Sequence, residues 1–148
     1  MPQLSLHSPV GPLTVTQEDG AIVALDWGWG RDQNATPLLE RALAHLNAYF
    51  DGKAPEILLP LAPAGTDFQQ RVWRAMSAIP YGATLTYGGL ATESGGSARA
   101  VGVACGANPI PILIPCHRVV AASGLGGYSG DGGLDTKIAL LRLEGVLL

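Results

Sequence analysis

Thr86–Pro109 reads TYGGLATESGGSARAVGVACGANP, and the fold of the chain turns on this stretch. Thr86 carries a side-chain oxygen that can cap a short helix through Tyr87, Leu90 and Ala91; Ser94-Gly95-Gly96 makes a turn; Ser97 can cap a second helix ending at Asn108-Pro109. Helix, glycine turn, helix at this spacing is the pattern of a helix-turn-helix. The second helix is built of Ala98, Ala100, Gly102, Ala104 and Gly106, which lowers its intrinsic stability but leaves a smooth surface that another backbone can approach. Arg99 sits in its first turn, where the helix dipole disfavours a cation, and so points to a partner outside the helix. A solvated arginine is the plain alternative.

Working downstream, Pro109–Val120 is an apolar, proline-stiffened run that ends on Cys116-His117-Arg118. Its three early prolines fix φ and remove backbone donors, so the run is predicted to be a braced extended segment, neither central strand nor helix. Neighbours on an extended chain point to opposite sides, and help from His117 to Cys116 would have to pass through a turn or a water. A thiol becomes a strong nucleophile as thiolate, which nearby cations or a buried relay favour; a small buried hydrophobe is the competing reading. Ser123–Gly133 is a glycine-rich loop around one aromatic, Tyr128, of the kind that lines sites. Leu134, Ile138 and Leu141, with Gly145 as cap, predict a final helix. Glu144 lies at its C-terminal end, where the dipole opposes its charge, and is expected to be held by a specific group such as an imidazole.

Working upstream, Thr66-Asp67-Phe68-Gln69 is a capping box, and Phe68, Val72, Trp73, Met76 and Ile79 form an apolar face that stops at Pro80-Tyr81-Gly82. Further back, Leu4–Leu6, Leu13–Val15 and Ile22–Leu25 are short runs separated by turn residues and predict a small antiparallel meander. Thr36-Pro37 begins a helix with Leu39, Leu43, Leu46 and Phe50 at helical spacing, expected to cover that sheet. Pro55–Pro63 reads as an irregular linker. The expected division is an α/β domain with linker at 1–65 and a mainly α helix-turn-helix domain at 66–148.

The 148 residues, 47% hydrophobic and 14% charged, suit one ordinary domain or two small ones. No basic stretch leads into an apolar run at the N-terminus and no apolar run is long enough to span a bilayer, so a cytoplasmic protein without membrane contact is expected. Cys105 and Cys116 are expected to be free thiols, and with no second Cys/His cluster neither zinc nor any other cofactor is expected. The net charge of −3 argues against a strongly basic nucleic-acid binder. It is uneven, however: residues 1–65 hold three basic against seven acidic side chains, and residues 66–148 hold six against five. A local basic face on the second part remains open.

Taken in order, Gly65–Gln69, Val72-Trp73, Ile79–Gly82, Thr86-Tyr87, Leu90-Ala91, Ala98–Gly102, Asn108-Pro109, Ile114–Val119 and Leu140–Gly145 resemble the O6-alkylguanine-DNA alkyltransferases. The resemblance spans the second domain; the first resembles the family's ribonuclease-like α/β domain more loosely, best at Tyr49–Gly52. It implies a monomer that binds double-stranded DNA through the minor groove and flips out an alkylated base. The O6-alkyl group of guanine, or the O4-alkyl group of thymine, then moves irreversibly to Cys116. Ala98, Arg99, Ala100, Gly102 and Tyr87 would meet the DNA, with Arg99 filling the vacated space and Tyr87 giving a proton to the departing guanine. Glu144, His117 and a water would draw the proton from Cys116, and Asn108 would brace the turn. Pro111, Val119, Tyr128 and Ser129 would line the base pocket. This chain departs from the pattern at Gly106, where many members carry a basic phosphate contact, and in the length of the loop on both sides of Tyr128.

Two other readings stand beside it. A non-catalytic alkyltransferase-like damage sensor would lack the cysteine that this chain carries at Cys116. A thiol hydrolase using Cys116, His117 and Glu144 would need an oxyanion hole and repeated turnover.

Overall fold

The computed structural model describes residues 1–53, 55–127 and 132–147. The chain divides into two compact units, Met1–Ala64 and Gly65–Leu148.

The first unit is a three-stranded antiparallel meander, β1 (Gln3–Leu6), β2 (Leu13–Glu18) and β3 (Ala21–Trp27), with helix α1 (Pro37–Phe50) packed on β1 and β2. Alternation decides the faces: Leu13 and Val15 of the central strand point one way, Thr14 and Thr16 the other, and all four are buried. Thr36 caps α1 by accepting the Leu39 amide hydrogen bond, with Pro37 in its first turn, as expected. The buried stripe is Leu39, Ala42, Leu46 and Tyr49, rotated from the expected one, since Leu43 and Phe50 are only half-buried. The polar sheet face is covered by the segment after β3. Gly30 lies so close that a Cβ there would stand 2.9 Å from Thr14 Cγ2 and Gln3 Oε1. The supposed linker is also tied down: Ile22 donates to Pro60 and accepts from Ala62, both at 2.8 Å, so Leu61 extends the sheet beside β3.

The second unit is built on α2 (Asp67–Ser77), α3 (Tyr87–Ser94) and α4 (Ala98–Gly106), followed by α5 (Gly133–Leu143). The capping box forms in both directions, Thr66 with Gln69, as the sequence predicts. Thr86 and Ser97 cap α3 and α4. Between them Gly95 and Gly96 both take positive φ (84° and 89°), and a Cβ on Gly96 would stand 2.9 Å from the Phe68 ring, so this turn demands glycine twice. Val72, Trp73, Met76, Leu90, Val101 and Ala104 form the core of the three helices, and the Trp73 indole donates to the Ala104 carbonyl at 2.9 Å. Truncation at Trp73 is of the class that costs about 3–5 kcal/mol. A two-residue parallel pairing, β4 (Leu85–Thr86) with β5 (Val119–Val120), joins the start of α3 to the chain just past Cys116. Among the described residues no helix is long and apolar enough to cross a membrane.

Candidate active site

The run leading to Cys116 is not the extended brace that its prolines suggest. Ile112 has φ +72° and the Leu113 amide bonds back to the Pro111 carbonyl at 2.9 Å, a γ-turn of the strained hand. Pro115, at φ −81° and ψ 68°, centres an inverse γ-turn closed by the Cys116 amide on the Ile114 carbonyl at 2.8 Å. The prolines rule out strand and helix, as expected, but the Leu113, Ile114 and Cys116 N–H groups find carbonyls within the run and coil it. Ile110, Ile112, Leu113 and Ile114 are all buried, so close packing holds the strained residue.

Cys116–Arg118 then form one 3-10 turn, all three residues buried. Asn108, just past α4, donates from Nδ2 to the Ile114 carbonyl at 2.9 Å and accepts the Ile110 amide at 3.0 Å, so it ties the end of α4 to the approach of Cys116. Burial pushes the Cys116 thiol above the ordinary thiol range; the Asn108 side chain opposes this most, followed by local backbone groups and the charge of Lys137. The resting group is the thiol.

His117 is fully buried, and its Nε2 lies 2.5 Å from Glu144 Oε2. Burial lowers the imidazole pKa, and the nearby Arg118 and Lys137 charges add to that, against the Glu144 carboxylate. Burial thus favours the neutral ring, in which Nε2–H donates to Glu144 and Nδ1, also buried, lies on the far side. Glu144 sits at the C-cap of α5, where the helix dipole opposes it, yet its carboxylate is amply met. Oε1 accepts from Arg118 Nε at 2.8 Å and from the Gly82 amide at 3.1 Å; Oε2 accepts from Arg118 Nη2 at 3.1 Å as well as from His117. The specific partner expected for Glu144 is therefore both an imidazole and a guanidinium.

Tyr87, the first residue of α3, is half-buried against Gly102 of α4 and Gly126. A Cβ on Gly126 would lie 2.9 Å from the ring, and Gly126 has φ +72°, so glycine is needed there on both counts. Burial first, then proximity to Cys105 and Cys116, raises the phenol pKa, which keeps the hydroxyl protonated. On α4, Ala98, Arg99, Val103 and Gly106 are exposed, Ala100 and Gly102 half-buried and Ala104 buried; a Cβ on Gly102 would lie 3.9 Å from the Tyr87 ring. Pro111 and Val119 are buried, Val119 directly after the Cys116 turn. Tyr128 and Ser129 lie outside the described residues. Cys105, buried with Sγ 3.4 Å from Met76 Sδ and its pKa pushed up to about 12 by burial, is an inert core thiol.

Two residues of the cluster escape the sequence reading. Arg118 enters it only as part of a motif. Lys137 enters it only in the count of basic side chains, although it is fully buried, its Nζ donating to the Val119 carbonyl at 2.6 Å and the Gly127 carbonyl at 3.0 Å and lying 5.9 Å over the Tyr87 ring. Spacing could have found it: the buried face of α5 is Lys137, Leu140, Leu141 and then Glu144, whereas the expected Leu134 is 46% exposed. A lysine in register with buried leucines carries a buried charge that needs a reason.

Comparison with known proteins meets this geometry. Residues 67–146 match the family model for the 6-O-methylguanine DNA methyltransferase DNA-binding domain, and residues 4–63 the model for that family's ribonuclease-like domain, in agreement with the fold class read from the sequence. The methylated-DNA–protein-cysteine methyltransferase of Mycobacterium bovis is 45% identical over 95% of this chain and 90% of its own length. The protein of the same name from Methanosarcina barkeri is 42% identical over 94% of each. The crystal structure of Mycobacterium tuberculosis O6-methylguanine methyltransferase superposes with a TM-score of 0.85 at 42% identity, over 97% of this chain and 92% of that one. A structure of the same organism's protein in complex with DNA gives 0.86 at 42% identity over 98% and 93%. With both family models matched in order and relatives above 40% identity over nearly the whole chain, this chain belongs to the 6-O-methylguanine DNA methyltransferase family.

Proposed function

We propose that this protein repairs DNA by moving an alkyl group from O6 of a guanine in duplex DNA to Sγ of Cys116, once per molecule. The observation that carries the proposal is a buried thiol at one end of a turn whose next residue is a buried imidazole held by a carboxylate. Because burial keeps the thiol protonated, its proton has to leave as the alkyl group arrives. Nδ1 of His117, the nitrogen that Glu144 does not hold, receives it through a water; the sulfur attacks the alkyl carbon, the carbon–O6 bond breaks, and Tyr87 protonates the departing guanine. A thioether carbon is a poor leaving group, so the protein stops after one event. O4-alkylthymine is the second substrate of this reading.

The exposed face of α4, Ala98, Arg99, Val103 and Gly106, supports a contact with the minor groove, where a small-residue surface admits close approach and direct base readout is not required. The alkylated base has to leave the stack to reach a buried sulfur, and Arg99 fills its place. The protein works as a monomer in the cytoplasm.

The deciding test is incubation with a duplex carrying labelled O6-methylguanine, followed by intact mass. One methyl per molecule, on Cys116 and not on Cys105, is expected; multiple turnover would favour a hydrolase, and DNA binding without transfer a damage sensor. Arg99→Ala should lose repair of the duplex while keeping its reaction with free O6-benzylguanine.

A further inference from the structure

Glu144 is bound more tightly than a partner for one histidine requires. Among the described residues four donors meet its two oxygens, and two of the four belong to Arg118, which also donates from Nη1 to the Ile79 carbonyl at 2.8 Å. Arg118 lies one residue beyond His117 in the same 3-10 turn, so a single turn sends both an imidazole and a guanidinium to one carboxylate across 27 and 26 residues of chain. A buried arginine joined to a carboxylate through two parallel bonds fixes both the position and the plane of that carboxylate, which a lysine's point charge does not.

We infer that Arg118 is a positioning residue of the alkyl transfer: its bidentate clamp on Glu144 aims Oε2 at His117 Nε2 and supplies the positive charge that would otherwise come from the imidazole. This rests on the reading of His117 as the base that accepts the Cys116 proton. A buried carboxylate with only a histidine beside it would draw a proton onto that histidine, because an opposite charge favours the charged form. An imidazolium takes no proton from a thiol. With the guanidinium in place, Glu144 is already neutralised, and the ring keeps one nitrogen as donor and the other as acceptor. Among the described residues, the charged groups that act on His117 are Glu144 and Lys137 from α5 and Arg118 from its own turn, with the Cys116 thiol one residue before it; Tyr81 faces Arg118, whose guanidinium carbon lies 5.8 Å over its ring. Of these, only Glu144 pulls the imidazole toward the charged form, while Arg118 and Lys137 push it the other way.

The test compares the unmodified protein with Arg118→Gln and Arg118→Lys. Single-turnover transfer from free O6-benzylguanine is followed between about pH 5.5 and pH 9, around the ordinary histidine range, and His117 is titrated by NMR in the same samples. Arg118→Gln should raise the His117 pKa and move the rising limb of the pH–rate profile to higher pH. If the pKa rises by about one, transfer falls about tenfold well below the old pKa and changes little well above the new one. Arg118→Lys, which keeps charge without the fork, should fall between. An equal loss at every pH, with an unmoved His117 titration, would reduce Arg118 to a structural tie and overturn the inference. If neither variant folds, the unmodified protein still decides: a neutral ring protonated at Nε2 at about pH 7 is required, and an imidazolium there refutes the clamp. The parent reading fails separately, by absence of alkyl on Cys116 of the unmodified protein.

Discussion

Each unit of this protein buries a polar cluster, and the two differ in kind. In the first, Ser5 Oγ and Thr14 Oγ1 lie 2.8 Å apart on the sheet, Thr14 passes the chain on to the Gly28 carbonyl at 2.8 Å, and Ser5 accepts the Gly30 amide at 3.0 Å and Gln33 Nε2 at 2.8 Å. Every member is neutral and none titrates near pH 7, so the cluster can hold a loop on a sheet but cannot relocate a charge. In the second, Cys116, His117, Glu144, Arg118 and Lys137 are buried together, and burial displaces the pKa values of Cys116, His117 and Lys137 toward their neutral forms. Buried hydrogen bonds alone mark structure; buried groups whose protonation states compete mark chemistry.

The sharpest way to break this contrast is Cys116→Ser, which should abolish alkyl transfer altogether while circular dichroism and melting stay near those of the unmodified protein. Residual transfer to another residue would move the site. Next in size, His117→Ala and Glu144→Gln should each slow transfer by about 10²–10⁴-fold, the usual contribution of a positioned base. The double variant should be hardly slower than either, because members of one relay act as a unit. Additive losses would separate Glu144 from the relay and leave it a clasp for α5.

Lys137→Met tests whether the second cluster works through charge. The Lys137 cation lowers the Cys116 pKa, so its loss should raise that pKa further and slow alkylation by iodoacetamide at fixed pH, about tenfold for every pH unit that the thiol pKa climbs. In both proteins the rate should climb with pH through neutrality, since the thiol pKa lies above its ordinary value. An unchanged pH profile would confine Lys137 to holding the Val119 and Gly127 carbonyls. In the neutral cluster, by contrast, Thr14→Val should cost about 1–3 kcal/mol of stability by leaving Ser5 and the Gly28 carbonyl short of a partner. It should leave the rate of transfer untouched.

The smallest effect concerns pH and stability. Burial lowers the pKa of His45 on α1 as well as that of His117, so the unfolded chain binds more protons once the pH drops below about 6.5. The stability present above that pH should therefore decline as the pH falls through the window of the depressed values. His45→Gln should remove part of the decline without altering transfer, which separates the histidine of the first unit from that of the second.

Much of the architecture is legible from residues close together in the chain. Thr36, Thr66, Thr86 and Ser97 begin four helices because a cap is a hydrogen bond to an amide three residues on, and Gly95-Gly96 marks the turn because only glycine takes two positive φ values there without strain. Cys116-His117-Arg118 offers a nucleophile as one of two readings of the thiol, and the dipole argument foresees that Glu144 needs a partner. Tertiary structure decided what these local rules do not reach. The proline run coils through two γ-turns because packing of Ile110 to Ile114 holds a strained Ile112, and the linker joins the sheet because β3 has an edge to offer. The exposed face of α4 includes Val103, and Gly102 is half-covered because the Tyr87 ring lies against it. Arg118 and Lys137 matter only because a carboxylate and two carbonyls, distant in sequence, are brought against them. Capping and periodicity act over a turn of chain and are written in neighbouring residues; the charge balance of a buried site depends on every group that folding places around it.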